Sequence, residues 1–169
     1  MFALFFFGVA LVGAVVTIVV RKLKGVARIN MLADWLLGVS VGLGGVWAFV
    51  GHAVFTERVA ASIGWAASPF QWEIAVSNLA IGVLGLLSLV FRDRFRLAAA
   101  IACNVYLLGC AAGHIHQALA YHNYAINNIG PVLWISDITV PLLTLALVIV
   151  GDVKGRRSAA QGPGEMRAC

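Results

Sequence analysis

Five stretches of this chain, each about twenty residues long and nearly free of charge, limit what it can fold into more than any other feature. They run from Phe2 to Val20, Met31 to Phe55, Pro69 to Phe91, Leu97 to Tyr121 and Pro131 to Val150. A helix of about 20 residues crosses a hydrocarbon layer of ~30 Å while pairing its backbone N–H and C=O groups internally. Composition agrees: 62% of the 169 residues are hydrophobic and 11% charged, whereas soluble domains carry about 25% charged residues. The same balance excludes intrinsic disorder, which needs low hydrophobicity and high charge. The expected fold is all-α, a polytopic transmembrane helical bundle of five spans, with residues 1–150 as one domain and 151–169 as a flexible basic tail. The first run lacks a basic leader and a clean small-residue cleavage site, so it reads as a retained helix rather than a secretory signal.

Charge placement sets an orientation. Positive residues are retained on the cytoplasmic side of short loops. Arg21, Lys22, Lys24 and Arg28 follow the first run, Arg92, Arg94 and Arg96 follow the third, and Lys154, Arg156, Arg157 and Arg167 follow the fifth. The alternate loops hold Arg58 alone, so the count is eleven against one. The amino terminus is therefore expected outside and the carboxyl terminus in the cytoplasm. The net charge of +5 is topological and gives no reason to expect nucleic acid as a partner. Cys103, Cys110 and Cys169 have no CxxC spacing and imply no disulfide framework.

Ser68, Pro69 and Gln71 have the order of N-cap, first helical residue and capping-box partner for the third span. Glycines recur at helical intervals, as Gly38, Gly42 and Gly45, Gly82 and Gly85, and Gly109 and Gly113, and such spacing lets helices approach closely. Trp47, Trp65, Trp72, Tyr121, Tyr124 and Trp134 gather near the expected outer boundary, as interfacial anchors do. The intervening ERVAASIGWAAS, residues 57–68, suits either a segment lying flat on the membrane or a cap over polar groups beneath it.

Ionisable residues inside spans are expensive, so each one needs an explanation. Asp34, near the basic end of the second span, has water, the helix terminus and the basic loop to stabilise it. His52, Glu73, His114, His116 and Asp137 all map to the outer leaflet. His114 and His116 lie ~200° apart on a regular helix, so they do not both face one centre. Cys110, His114, Gln117 and Tyr121 share a face, which favours His114 as the inward imidazole. Glu73 shares a face with Ser77, beside Asn78, and Gln71, Asn104, Asn127 and Asn128 extend the polar supply. The expected binding pocket is His52, Glu73, Asn78, His114, His116, Gln117 and Asp137.

Imidazoles and carboxylates at one level support more than one chemistry. His52, Glu73, His114 and Asp137 offer nitrogen and oxygen ligands for a transition metal such as zinc, iron or copper, though the chain lacks the Glu-x-x-His and His-Glu-x-x-His patterns of such sites. A bis-histidine haem through His52 and His114 is the less favoured cofactor. A desolvated carboxylate beside a histidine suits a proton relay or a coupled solute site. A purely structural cluster, tying helices together by buried hydrogen bonds, has the same composition. The function classes are thus a small-solute, proton or metal-ion site, an accessory or assembly subunit of a larger membrane complex, and a membrane-embedded metal or haem oxidoreductase. Partners are the lipid bilayer and either further copies of the chain or a membrane complex.

The segments IGWAASPFQWEIAVSNLAIGVLGLL (63–87), GHIHQ (113–117) and NNIGPVLWISDITVPLL (127–143) resemble a family of small bacterial integral membrane proteins that carries only a domain-of-unknown-function label. The resemblance covers spans two to five. It implies a bacterial inner membrane location and supplies no activity, so no catalytic role transfers to Glu73, His114, His116 or Asp137.

Overall fold

A computed structural model describes residues 2–161, and those residues are helical almost throughout. Helix α1 spans Phe2–Val20, α2 spans Val26–Val54, the short α3 spans Thr56–Ser62, α4 spans Phe70–Leu87, α5 spans Arg94–Tyr121 and α6 spans Ile126–Ala160. All of these but α3 are long and apolar enough to cross a membrane, five in number. The turn 21–25, with Arg21, Lys22 and Lys24, and the turn 88–93, with Arg92 just ahead of Arg94 and Arg96, lie at one end of the bundle, here called the basic end. Segments 55–69 and 122–125 lie at the far end.

Three helices begin earlier than the apolar runs suggest, α6 through the turn Ile126–Ile129 ahead of Pro131. α2 starts at Val26 rather than Met31, and α5 at Arg94 rather than Leu97, because amphipathic turns with charged residues extend both helices beyond their apolar stretch. The region where the sequence suggests a flexible tail continues α6 as helix, and residues 162–169, with Arg167 and Cys169, lie outside the described residues. The expected cap of α4 is absent. Ser68 makes no side-chain cap hydrogen bond, and Gln71 turns into the bundle instead.

Glycine decides how α2 meets α4. A Cβ at Gly45 would stand 2.8 Å from the Asn78 carbonyl oxygen and 2.8 Å from Gly82 Cα, and one at Gly85 would stand 2.7 Å from the Leu37 carbonyl oxygen. The two backbones therefore touch along this seam, and apolar packing in the absence of water holds them. The Gly109 and Gly113 pair behaves otherwise: a Cβ at either position meets nothing within 4 Å, so that face of α5 packs against no other helix here.

α1 is the most exposed span, burying only Ala10 and Ala14, and it docks through Trp35, whose ring lies over Gly13 and whose Nε1 donates to Thr17 Oγ1 at 3.2 Å. The core proper lies between α2, α5 and α6. Ala33, Leu37, Ala100 and Val148 form one apolar cluster, and Val41, Cys103 and Val140 form another closer to the far end.

Both α2 and α6 widen in the middle. Leu36–Leu43 and Val132–Thr139 adopt π-helical hydrogen bonding, a geometry found often at functional sites. In α6 a cause is visible. Pro141 has no N–H, so the carbonyl of Asp137 loses its donor four residues on, and the Thr139 hydroxyl donates to the Trp134 carbonyl at 2.7 Å.

Candidate functional site

The far end of the bundle holds a buried polar constellation made from α5, α6 and the two connecting segments. His114, on the inner face of α5, is 8% exposed, Asp137 in the wide turn of α6 is 4% exposed, and Asn128 is fully buried between them and the surface. α5 ends at His122, whose left-handed backbone (φ 52°) turns the chain back over the helix. Asn123 then braces the return, donating to the Ile63 carbonyl at 2.8 Å and accepting from Ala125 N–H at 3.2 Å. Gly130 permits the bend into α6, since a Cβ there would collide with the Ile126 carbonyl oxygen.

Asn128 fixes the state of the imidazole. Its Nδ2 donates to the His114 carbonyl at 3.1 Å and to the Asn123 carbonyl at 2.8 Å, so the amide can stand only with Oδ1 toward the ring. That oxygen is 2.8 Å from His114 Nδ1, and an amide oxygen only accepts, so Nδ1 must carry hydrogen. A neutral ring then presents a bare Nε2. What Nε2 faces, at 3.6 Å, is Asp137 Oδ2, a buried oxygen with no hydrogen-bond partner. Two unshared lone pairs pointed at each other in a dry interior repel. One proton placed between them relieves the repulsion, as an imidazolium beside a carboxylate or as an imidazole beside a carboxylic acid.

Trp65 closes this site from outside. Its ring stacks on the His114 ring with centroids 5.5 Å apart and an interplanar angle of 28°. Trp65, expected from its place in the sequence as an interfacial anchor, also contacts the site. The cap role of segment 57–68 is carried by the turn after α3: Gly64 has φ +74°, and Trp65 N–H returns to the Ala60 carbonyl at 2.9 Å.

The other residues singled out from the sequence lie elsewhere. His52 joins its Nδ1 to Gln71 Oε1 at 2.6 Å, a separate contact between α2 and α4. Glu73 is exposed on α4, its neighbour Ser77 is bonded back to the Glu73 carbonyl, and Asn78 donates to the Ile74 carbonyl at 2.9 Å. His116 is exposed and meets Tyr121 edge to face, and Gln117 is half-buried on α5. The expected seven-residue pocket is therefore not assembled: His114 and Asp137 meet, while Glu73 and His116 point away because their helical phase carries them to the outer surface. Among the described residues no three His, Cys, Asp or Glu side chains are grouped to hold a metal ion, and of the quartet His52, Glu73, His114 and Asp137 only His114 and Asp137 come together.

A second buried charge cluster, at the basic end, is one that loop counting conceals. Asp34 sits between Arg96 Nη1 at 3.1 Å and Arg92 Nη2 at 3.0 Å, and Arg96 also donates to Asn30 Oδ1 at 2.9 Å. Arg96, read from sequence as a loop charge, is 4% exposed. The missed signal was the pairing requirement itself: a carboxylate inside a span needs a cation, and Arg96 begins the adjacent helix. Between the two clusters Asn104 stitches α5 to α6, donating to the Ala100 carbonyl at 2.9 Å and the Pro141 carbonyl at 2.8 Å.

The fold and site define a multi-pass helical membrane protein with a buried histidine–aspartate pair near one face. The chain belongs to the family of unknown function DUF6790, whose model matches residues 1–157 and so takes in the first span as well as the four covered by the resemblance. No curated protein and no solved structure matches it.

Proposed function

We propose that this is a bacterial inner-membrane protein, amino terminus outside, that takes up and releases a proton at His114 and Asp137 as part of moving a proton or a small solute across the membrane. One observation carries the reading: Asn128 pins the hydrogen of His114 to Nδ1, leaving Nε2 and an unpartnered Asp137 oxygen to share a proton 3.6 Å apart. The excess of Lys and Arg in the loops of one end supports the orientation, and with it a position of the pair toward the outer face. Trp65 and the turn beneath α3 control access, since the stacked indole must shift for solvent to reach the imidazole.

The test is purified protein in vesicles enclosing a pH indicator, with an imposed proton gradient and candidate small solutes added in turn. Proton movement by the wild type that is lost in Asp137→Asn and in His114→Gln supports the proposal. Movement that survives both substitutions removes the pair from the function.

A further inference from the structure

A cleft of about 450 Å³ opens at the basic end, far from the histidine–aspartate pair, between the start of α5 and the last turns of α6. Arg92, Asp93, Arg94, Arg96, Asp152 and Arg156 are among the residues that line it. Its inner wall is Arg96, a buried guanidinium clamped by Asp34 at 3.1 Å, Asn30 at 2.9 Å and Asp152 at 3.6 Å, with Nε left without a partner. Gly151 is needed here, since a Cβ would collide with the Asn30 oxygen that steadies Arg96. The mouth carries Arg94 and Arg156, both exposed, and neither has an acidic partner among the described residues. Asp93 does not cap α5 with its side chain, and with Arg94 it lines the cleft, so the start of this 28-residue helix adjoins the same space, the Arg96 N–H being taken by the Asp93 carbonyl at 3.2 Å. Four arginines against Asp34, Asp93 and Asp152 leave the cleft net positive.

We infer that this cleft binds a phosphate-bearing anion, with Arg94 and Arg156 holding the phosphate oxygens against the start of α5 and the fixed Arg96 forming the floor. Arginine suits the task because its planar fork matches two phosphate oxygens at once. The volume admits a phosphate with a glycerol-sized substituent, and basic clefts between membrane helices bind anionic headgroups. Two sources share this chemistry, the headgroup of an anionic phospholipid and free phosphate in solution.

The experiment uses the full chain in nanodiscs of phosphatidylcholine with or without phosphatidylglycerol, read by native mass spectrometry for retained lipid. In parallel, detergent-solubilised protein is titrated with inorganic phosphate and followed by thermal unfolding. The variant is Arg94→Gln with Arg156→Gln, chosen because both side chains are exposed and their loss leaves the Asp34–Arg96 clamp intact. The control, Lys154→Gln with Arg157→Gln, removes the same charge outside the cleft. Retention of phosphatidylglycerol by the wild type and control, weakened about thirtyfold in the variant, identifies a lipid headgroup. A phosphate-dependent rise in melting temperature in the wild type and control but not the variant identifies free phosphate. Equal weakening in variant and control, or no response of the wild type to either probe, overturns the inference.

Discussion

Asn128→Leu is the sharpest perturbation of the far-end site, because leucine has the same number and branching of heavy atoms and removes every side-chain hydrogen bond Asn128 makes. Three are lost: to His114 Nδ1, to the His114 carbonyl and to the Asn123 carbonyl. The His114 carbonyl keeps its helical donor, so its loss is slight. Nδ1–H and the Asn123 carbonyl are stranded. Hydrogen bonds between membrane helices contribute about 0.6–2 kcal/mol each, and a buried group left unpaired costs about 1–3 kcal/mol, so the expected destabilisation is about 2–5 kcal/mol. The comparison is Asn127→Leu, one residue away, where the side chain makes no hydrogen bond among the described residues and the change should stay within about 0.5 kcal/mol. Unfolding in mixed micelles of rising denaturing-detergent fraction measures both. If the two substitutions cost the same within about 0.5 kcal/mol, Asn128 does not organise the site and the tautomer argument loses its foundation.

Asp137→Asn should fold as well as the wild type, because its amide N–H can meet the bare Nε2 of His114 without a proton; circular dichroism and melting temperature check this, and collapse of the variant would show a need for charge. Arg96→Met should cost about 3–5 kcal/mol by taking away the buried partner of Asp34 and leaving it only the largely exposed Arg92, whereas Arg92→Gln, whose side chain is 59% exposed, should cost under about 1 kcal/mol in the same unfolding assay. Gly45→Ala should lose about 1–3 kcal/mol by forcing α2 from α4. Gly113→Ala, with open space around it, should be neutral or stabilising by up to about 1 kcal/mol.

The five spans were legible because apolar length is a local property, readable without knowing any neighbour. So was the choice between His114 and His116, which depends only on helical phase within one element. The composition of the site was less legible. Grouping His52, Glu73 and Asp137 by depth treats level as proximity, yet two residues at one depth can face opposite sides of a bundle, as Glu73 and Asp137 do in their exposure. Asn128 was visible only as one more polar residue, since its role depends on His122 reversing the chain over α5. Arg96 was hidden by its neighbours: it stands with Arg92 and Arg94 in a basic run, and only the closeness of α2 to α5 turns it into the partner of Asp34.

Nitrogen-15 NMR of the His114 ring, followed through a pH titration in wild type and Asp137→Asn, reads the shared proton most directly. The account expects Nδ1 of wild-type His114 to stay protonated throughout, while the resonance of Nε2 follows loss of a proton held with Asp137, a step missing or displaced in the variant. A neutral His114 with hydrogen on Nε2 and none on Nδ1, or identical titrations in the two proteins, would contradict it.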